Sequence, residues 1–147
     1  KATSLIRVLI LTFGTMSLAN AQSFSGDSGV TASASIGKDI IGHPQITIKI
    51  KNNTEKEIAA LLFYAIPYNV YGEEVKSFLV TKRLFSDDPL ASGKSDTRFW
   101  QLLDTKVKTV KLYLFSVYFE DGTQWGDKEA DREDIIAKGQ SITVTKE

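Results

Sequence analysis

The chain contains no cysteine, one histidine, one methionine and three prolines among its 147 residues. The absence of cysteine argues against small disulfide-rich secreted scaffolds, and it removes the cysteine to which bacterial lipoproteins attach their lipid. Zinc and copper sites usually draw on several His or Cys ligands, which His43 alone does not supply. No serine lies in a G-x-S-x-G motif, so a serine triad is not indicated either.

Neither sign of charge dominates, because 18 basic residues balance 18 acidic ones. Such a balance predicts no electrostatic attraction to nucleic acid or to anionic membranes. The sequence after residue 21 has no long apolar segment, so we expect no membrane span there. The sequence therefore shows no recognisable catalytic or cofactor-binding motif.

The N-terminus does carry a recognisable pattern. Lys1 and Arg7 form a basic start, and residues 8–18 form an uncharged apolar run that is too short to span a bilayer as a helix. A basic start followed by such a run is typical of a secretory signal peptide. We therefore expect residues 1–21 to direct export, and the protein to be periplasmic or secreted.

Ala19 and Ala21 supply the small residues of a signal-peptidase site, with cleavage expected before Gln22. Residues 22–29 are rich in serine and glycine and predict a flexible leader. Residues 30–147 contain no repeat and no second linker, and their length suits one domain. A chain of this size can bury a core without disulfides.

Short β-like segments separated by turn residues recur through this domain. Ile46, Ile48 and Ile50 alternate with polar residues, which predicts a strand with the three isoleucines facing inward. Asp121 and Gly122 predict a hairpin turn. Further strands are expected within residues 30–36, 58–71, 75–83, 97–102, 107–120 and 142–145, and residues 127–138 have a helix-compatible composition.

This pattern predicts an all-β fold. We expect an immunoglobulin-like antiparallel β-sandwich of about seven strands, with a short helical or irregular acidic segment near the C-terminus.

Several of these segments resemble a known group of domains. The residues that carry the resemblance are Ile46 through Asn52-Asn53-Thr54-Glu55-Lys56-Glu57-Ile58, Pro67-Tyr68-Asn69 with Gly72, Trp100, and Phe119-Glu120-Asp121-Gly122-Thr123. Over roughly residues 30–126 the chain resembles small immunoglobulin-like domains of bacterial envelope proteins, many of them of unknown function or of FxLYD type. The resemblance implies the fold and an extracytoplasmic setting, and it transfers no catalytic residue.

The acidic segment from Asp127 to Asp134 has oxygen donors at positions 1, 3 and 5 of a calcium loop. Positions 6 and 12 hold Arg132 and Lys138, where an EF-hand loop needs glycine and glutamate. Acids in the first turn of a helix explain the segment more simply. We therefore predict no metal site and no cofactor, and the binding of a cation by this segment stays an open alternative.

Tyr71 and Trp125 lie near predicted strand ends, where aromatic side chains can remain exposed. We expect a non-enzymatic binding or interaction module, without catalytic residues, that engages a protein partner of the cell envelope through exposed loops or a sheet edge. The alternative is a carbohydrate-binding module that uses these two rings as an aromatic platform.

Overall fold

The computed structural model of the protein describes residue 24 and residues 26–76, 82–102 and 105–146. The predicted signal peptide, residues 1–21, and the expected cleavage site at Ala19, Ala21 and Gln22 lie outside the described residues. Within them, eight strands form two antiparallel sheets, and there is one helix. This arrangement confirms the prediction of an all-β sandwich. The elements are β1 (Val30–Lys38), β2 (Pro44–Asn52), β3 (Ile58–Tyr68), β4 (Arg83–Ser86), β5 (Ser95–Gln101), β6 (Thr109–Phe119), β7 (Gln124–Gly126), α1 (Arg132–Lys138) and β8 (Gln140–Thr145).

One sheet has the order β1-β2-β5, and the other has the order β4-β3-β6 with β7 and β8 both paired to the far side of β6. β7 pairs with Ser116–Tyr118 and β8 pairs with Thr109–Leu114, so the two short strands continue one sheet edge. The helix α1 is inserted between them. This insertion explains why eight strands are present instead of about seven.

The predicted strand at residues 75–83 differs from the structure in its described part. Val75 and Lys76 belong to no strand, and β4 begins only at Arg83. The intervening residues 77–81 lie outside the described part of the chain.

The core lies between the two sheets. Ile46, Ile48 and Ile50 are completely buried, as their alternation predicts, and they share one apolar cluster with Phe63 of the facing sheet. The rings of Phe63 and Trp100 meet edge to face, with centroids 6.4 Å apart, and so join β3 to β5 across the sandwich.

The acidic segment forms part of the fold. The Oδ1 atom of Asp131 accepts a hydrogen bond from the Asp134 N–H at 2.9 Å and so caps the start of α1. Ile135 of the helix is buried against Tyr64 and Phe115, on the outer face of the five-stranded sheet. The helix therefore covers this part of the outer face and leaves the rest open.

Candidate interaction surfaces

The β1–β2 connection is a tight loop held by its first residue. The Asp39 N–H donates to the His43 carbonyl at 2.9 Å, and the Asp39 carboxylate accepts the N–H groups of Ile41 and His43 at 3.0 and 2.8 Å. Asp39 thus takes part in the hydrogen bonds that close the turn. The side chains of Ile40 and Ile41 take no part in closing the loop.

The loop after β3 has the same construction, with an asparagine in place of the aspartate. The Asn69 N–H donates to the Glu73 carbonyl at 2.8 Å, and the Asn69 side-chain oxygen accepts the N–H groups of Tyr71 and Glu73 at 2.9 and 3.0 Å. Val70 and Tyr71 occupy the positions that correspond to Ile40 and Ile41.

Both loops project from the same end of the sandwich. β2 and β3 are joined by residues 53–57 at the other end, so the start of β2 and the end of β3 lie together. The four side chains at the loop tips are almost entirely in solvent, with relative exposures of 104% for Ile40, 74% for Ile41, 72% for Val70 and 85% for Tyr71. We call these four residues and their two loops the apolar loop end.

The apolar loop end contains one of the two aromatic residues proposed from the sequence. Tyr71 is exposed, as a binding surface requires. The neighbouring residues Ile40 and Ile41 were missed. A pair of consecutive isoleucines inside a predicted loop was the available signal, because apolar residues in a loop have no core to enter.

The interpretation of Trp125 as an exposed ring is wrong, because the side chain is only 7% exposed and belongs to the main core cluster. Phe24 packs edge-on against it, with ring centroids 5.4 Å apart, and the indole N–H donates to the Gly26 carbonyl at 3.2 Å. The described end of the expected flexible leader therefore packs on the domain and covers Trp125.

A second surface is the outer edge of β5. The Leu102 N–H donates to the Pro44 carbonyl at 2.8 Å and the Asn52 N–H donates to the Lys94 carbonyl at 3.0 Å, so the even-numbered residues of β5 bond to β2. In an antiparallel pair the remaining residues direct their N–H and C=O groups to the other side. No strand in the described residues occupies that side.

Phe99 lies at the centre of this outer edge and is 58% exposed, on the solvent face of the three-stranded sheet. Arg98, next to it, is buried and points inward. Its Nε donates to the Ser86 Oγ at 2.8 Å and its Nη2 donates to the Asp88 carbonyl at 3.1 Å, while the Asp96 carboxylate pairs with Nη1. Arg98 therefore anchors β5 to the end of β4 in the other sheet.

A third surface is an apolar groove of about 270 Å³ on the uncovered part of the five-stranded sheet. The half-exposed rings of Phe85 and Tyr118 lie on either side of Leu62 and Ser116. The sequence did not distinguish these two rings from core aromatics, because both lie in strands.

The acidic side chains with shifted pKa values are held in the ionised form. Two hydrogen bonds from the Arg132 guanidinium, at 2.8 and 3.1 Å, lower the pKa of Glu74 to about 2, and Lys82 adds a third at 3.1 Å. Hydrogen bonds from Thr123 and then Lys56 lower the pKa of Asp121 to about 2. The Nδ1 atom of His43 lies 3.5 Å from the Asp39 carboxylate. The described residues contain no group of three or more His, Asp or Glu that could hold a metal ion.

The Glu74 interactions predict a specific pH dependence of stability. A carboxyl group with a lowered pKa contributes stability that is complete above its unfolded value, near 4.5, and is lost as the pH falls toward 2. We expect Glu74→Gln to lose on the order of 2 kcal/mol of unfolding free energy at neutral pH, a figure that allows for the partial exposure of Arg132. The measurement is urea denaturation of both proteins between about pH 7 and pH 2. The difference should vanish at the acid end, and a constant difference would contradict the assignment.

No protein-family model matches the chain, and no curated protein matches it. Among solved structures, the chain is similar to a hypothetical protein from Peptoclostridium difficile 630, with 12% sequence identity, a TM-score of 0.56, and coverage of 80% of this chain and 95% of that one. It is also similar to a DUF1425 family member from Shewanella sp. pv-4, with 17% identity, a TM-score of 0.45, and coverage of 60% and 83%. The first similarity shows a shared fold. The structural neighbours of the chain thus include small domains of unknown function.

Proposed function

We propose that the protein is an exported, non-enzymatic binding module that engages a protein partner of the cell envelope through the outer edge of β5. The proposal includes cleavage of residues 1–21, a periplasmic or secreted location, and kinship with FxLYD-type domains. The observation that carries it is the row of N–H and C=O groups that Thr97, Phe99 and Gln101 direct away from β2, where no described strand pairs with them. The Thr97 N–H donates to the Asp96 carboxylate at 2.7 Å, so a partner strand has to displace that one local bond.

The composition of β5 supports this use of the edge. Exposed edge strands are commonly protected against pairing by lysine, proline or a bulge. The segment Ser95–Gln101 contains no lysine and no proline, and its pairing with β2 is regular over its whole length. An inward-pointing charge can also protect an edge, but the one in this strand, Arg98, is bonded to Asp96 and Ser86 and leaves the outer main-chain groups accessible. An extended peptide can therefore add to the sheet through main-chain hydrogen bonds.

Phe99 gives this edge an apolar contact. Its exposed ring lies at the middle of the strand, beside Thr47 on β2. Alternate side chains of an added strand would face the same side of the sheet as Phe99, so an apolar residue of the partner is expected opposite it. The anchoring of Arg98 to β4 holds the edge in place before binding, which reduces the ordering cost of association.

The acid–base chemistry of the chain also favours binding over catalysis. General acids need a pKa near the working pH, whereas Glu74 and Asp121 are held at about 2 by ion pairs and hydrogen bonds. Both groups are used to fix loops.

A proline at position 99 tests the proposal. The Phe99 N–H points away from β2, so Phe99→Pro removes an edge donor and the aromatic ring without breaking the β2–β5 ladder. With a photoreactive side chain at position 101, we expect a discrete protein adduct from the native chain in its own cells. Phe99→Pro should abolish the adduct.

The control for the lost donor is Ala34→Pro, which also removes an outward N–H group, on the outer side of β1, the other edge of this sheet. It should leave the adduct intact. Phe99→Lys serves as a second variant in case proline lowers stability, because an edge lysine opposes strand addition. An adduct that survives both Phe99 variants, or no adduct with the native chain, would overturn the proposal.

The alternative, a glycan-binding platform, cannot use Trp125, which is buried, and is best placed at Phe85 and Tyr118, two exposed rings that line one groove. Their groove offers stacking area, but the polar side chains that line it are only Ser116, Gln124 and Lys128. We rank it second because sugar recognition needs several hydrogen bonds beside each ring. A glycan array probed with the purified chain tests it.

A further inference from the structure

We propose that the apolar loop end docks on the surface of an anionic phospholipid bilayer, with Ile40, Ile41, Val70 and Tyr71 inserted below the headgroups. This inference concerns a different end of the molecule from the β5 edge and does not depend on the protein-partner proposal. No helix in the described residues is long and apolar enough to cross a membrane, so the attachment we infer is peripheral.

The first argument is the form of the two loops. Each is closed by one polar side chain that accepts two backbone N–H groups, Asp39 in one loop and Asn69 in the other. Four of the five backbone N–H groups in each turn are therefore satisfied locally, which reduces the cost of moving the tips into an apolar medium. The large apolar residues at the tips have no structural duty to explain their presence.

The second argument is the distribution of charge. The described segments at the apolar loop end contain six lysines and three carboxylates, in residues 38–43, 69–76, 105–111 and 145–146. The described segments at the opposite end contain three lysines and eight carboxylates, in residues 26–29, 51–57, 87–96 and 120–123. Among the described residues, charge is therefore unevenly distributed, with a basic end and an acidic end, although the total for the chain is balanced.

The two ends are too far apart to cancel. A strand of eleven residues, such as β6, spans about 35 Å. The screening length at physiological salt is only about 8 Å, so a bilayer that meets the basic end barely senses the acidic end. This proposal departs from the prediction of no attraction to anionic membranes, because that prediction used the total charge and not the positions of the charges.

Two carboxylates in the described segments of the apolar loop end, those of Asp39 and Glu74, are held by hydrogen bonds or ion pairs. Asp39 accepts two backbone N–H groups and the side-chain amide of Gln101, at 2.7 Å, and Glu74 is paired with Arg132 and Lys82. Glu74 is thus neutralised by its cationic partners, whereas Asp39 stays ionised, and the described segments at this end carry a net positive charge.

A groove of about 470 Å³ lies next to the Val70 loop. Lys108 and Lys111 line it together with Tyr68 and Thr109, and the Lys111 ammonium is 5.7 Å from the centre of the Tyr68 ring. Its cationic lining suits a phosphate headgroup beside the inserted tip. Apolar tips beside a cationic groove match the layered chemistry of an anionic bilayer.

The absence of cysteine makes the test direct. Val70→Cys in the full chain carries one polarity-sensitive fluorophore, and Ser92→Cys places the same label at the acidic end. With vesicles of equal parts phosphatidylglycerol and phosphatidylcholine, we expect a blue shift for the label at position 70 and none at position 92. Because the label reports its own surroundings, attachment through residues 1–21 alone gives no shift at position 70.

Two further variants test the physical basis. In the chain labelled at position 70, the change Lys108→Gln with Lys111→Gln, or Ile40→Ser with Ile41→Ser, should weaken the lipid titration by about ten-fold or more. Ile136→Ser, which removes an exposed apolar residue of α1, should leave it unchanged. Vesicles of phosphatidylcholine alone should bind weakly. No shift at position 70, an equal shift at position 92, or indifference to both lysine and isoleucine changes would overturn the proposal, and a protein partner at this end would then be the better inference.

Discussion

Gly126→Ala should lower the free energy of unfolding by about 2 to 5 kcal/mol. Gly126 ends β7 with a φ angle of +82°, a conformation that disfavours any side chain by about 1–2 kcal/mol. A Cβ atom there would also lie 2.2 Å from the Phe115 carbonyl oxygen and 2.8 Å from its carbon. That contact is with the backbone of the central strand β6, so relief requires β7 to move, at an added cost of roughly 1–3 kcal/mol.

The control is Gly93→Ala, which shares the backbone conformation but not the contact. Gly93 has a φ angle of +74°, and nothing lies within 4 Å of the position of a Cβ atom. Its replacement should cost only the conformational part, about 1–2 kcal/mol. Urea denaturation of the two variants measures the difference. Equal losses would show that the close approach of Gly126 to Phe115 plays no part.

Gly126 also illustrates the limit of sequence reasoning about this fold. The Asp121 and Gly122 pair was recognisable as a turn, and Gly122 indeed has a φ angle of +87°. Gly126 carried no such local signal, because its requirement comes from β6, a neighbour fixed by the tertiary fold. For the same reason the sequence did not show that α1 separates β7 from β8 along one edge of β6.

The strands with strong alternation were predictable, and the order of the sheets was not. Ile46, Ile48 and Ile50 specify an inward face by their spacing alone. Phe99 has the same residue type as a core aromatic, and only the position of β5 at the edge of its sheet exposes it. The burial of Trp125 likewise depends on Phe24, a residue about one hundred positions away in sequence.

The candidate surfaces depended on position in the same way. Tyr71 was identifiable because it ends a predicted strand and precedes a glycine, but its relation to Ile40 required the knowledge that both loops share one end of the sandwich. The uneven charge was also invisible in the total. Lysines from four separate segments meet only when the strands are paired.

Ile48→Ala should cost about 3 kcal/mol of unfolding free energy. Ile48 is completely buried at the middle of β2, which is the central strand of its sheet, with Ala34 and Arg98 on its two sides. Deleting three carbon atoms there removes apolar surface from the core and leaves a cavity that β1 and β5 cannot readily fill, and such changes typically cost 2–5 kcal/mol.

Ile40→Ala makes the same chemical change at the apolar loop end and should cost less than about 0.5 kcal/mol, because the side chain is fully in solvent. Urea denaturation of the two variants compares them directly, and similar losses would mean that one of the two positions is misassigned. The comparison also bears on function. An isoleucine whose removal leaves stability unchanged is not retained for packing, and if Ile40→Ala also weakens the attachment of the labelled loop to anionic vesicles, its exposure is explained by the surface it binds.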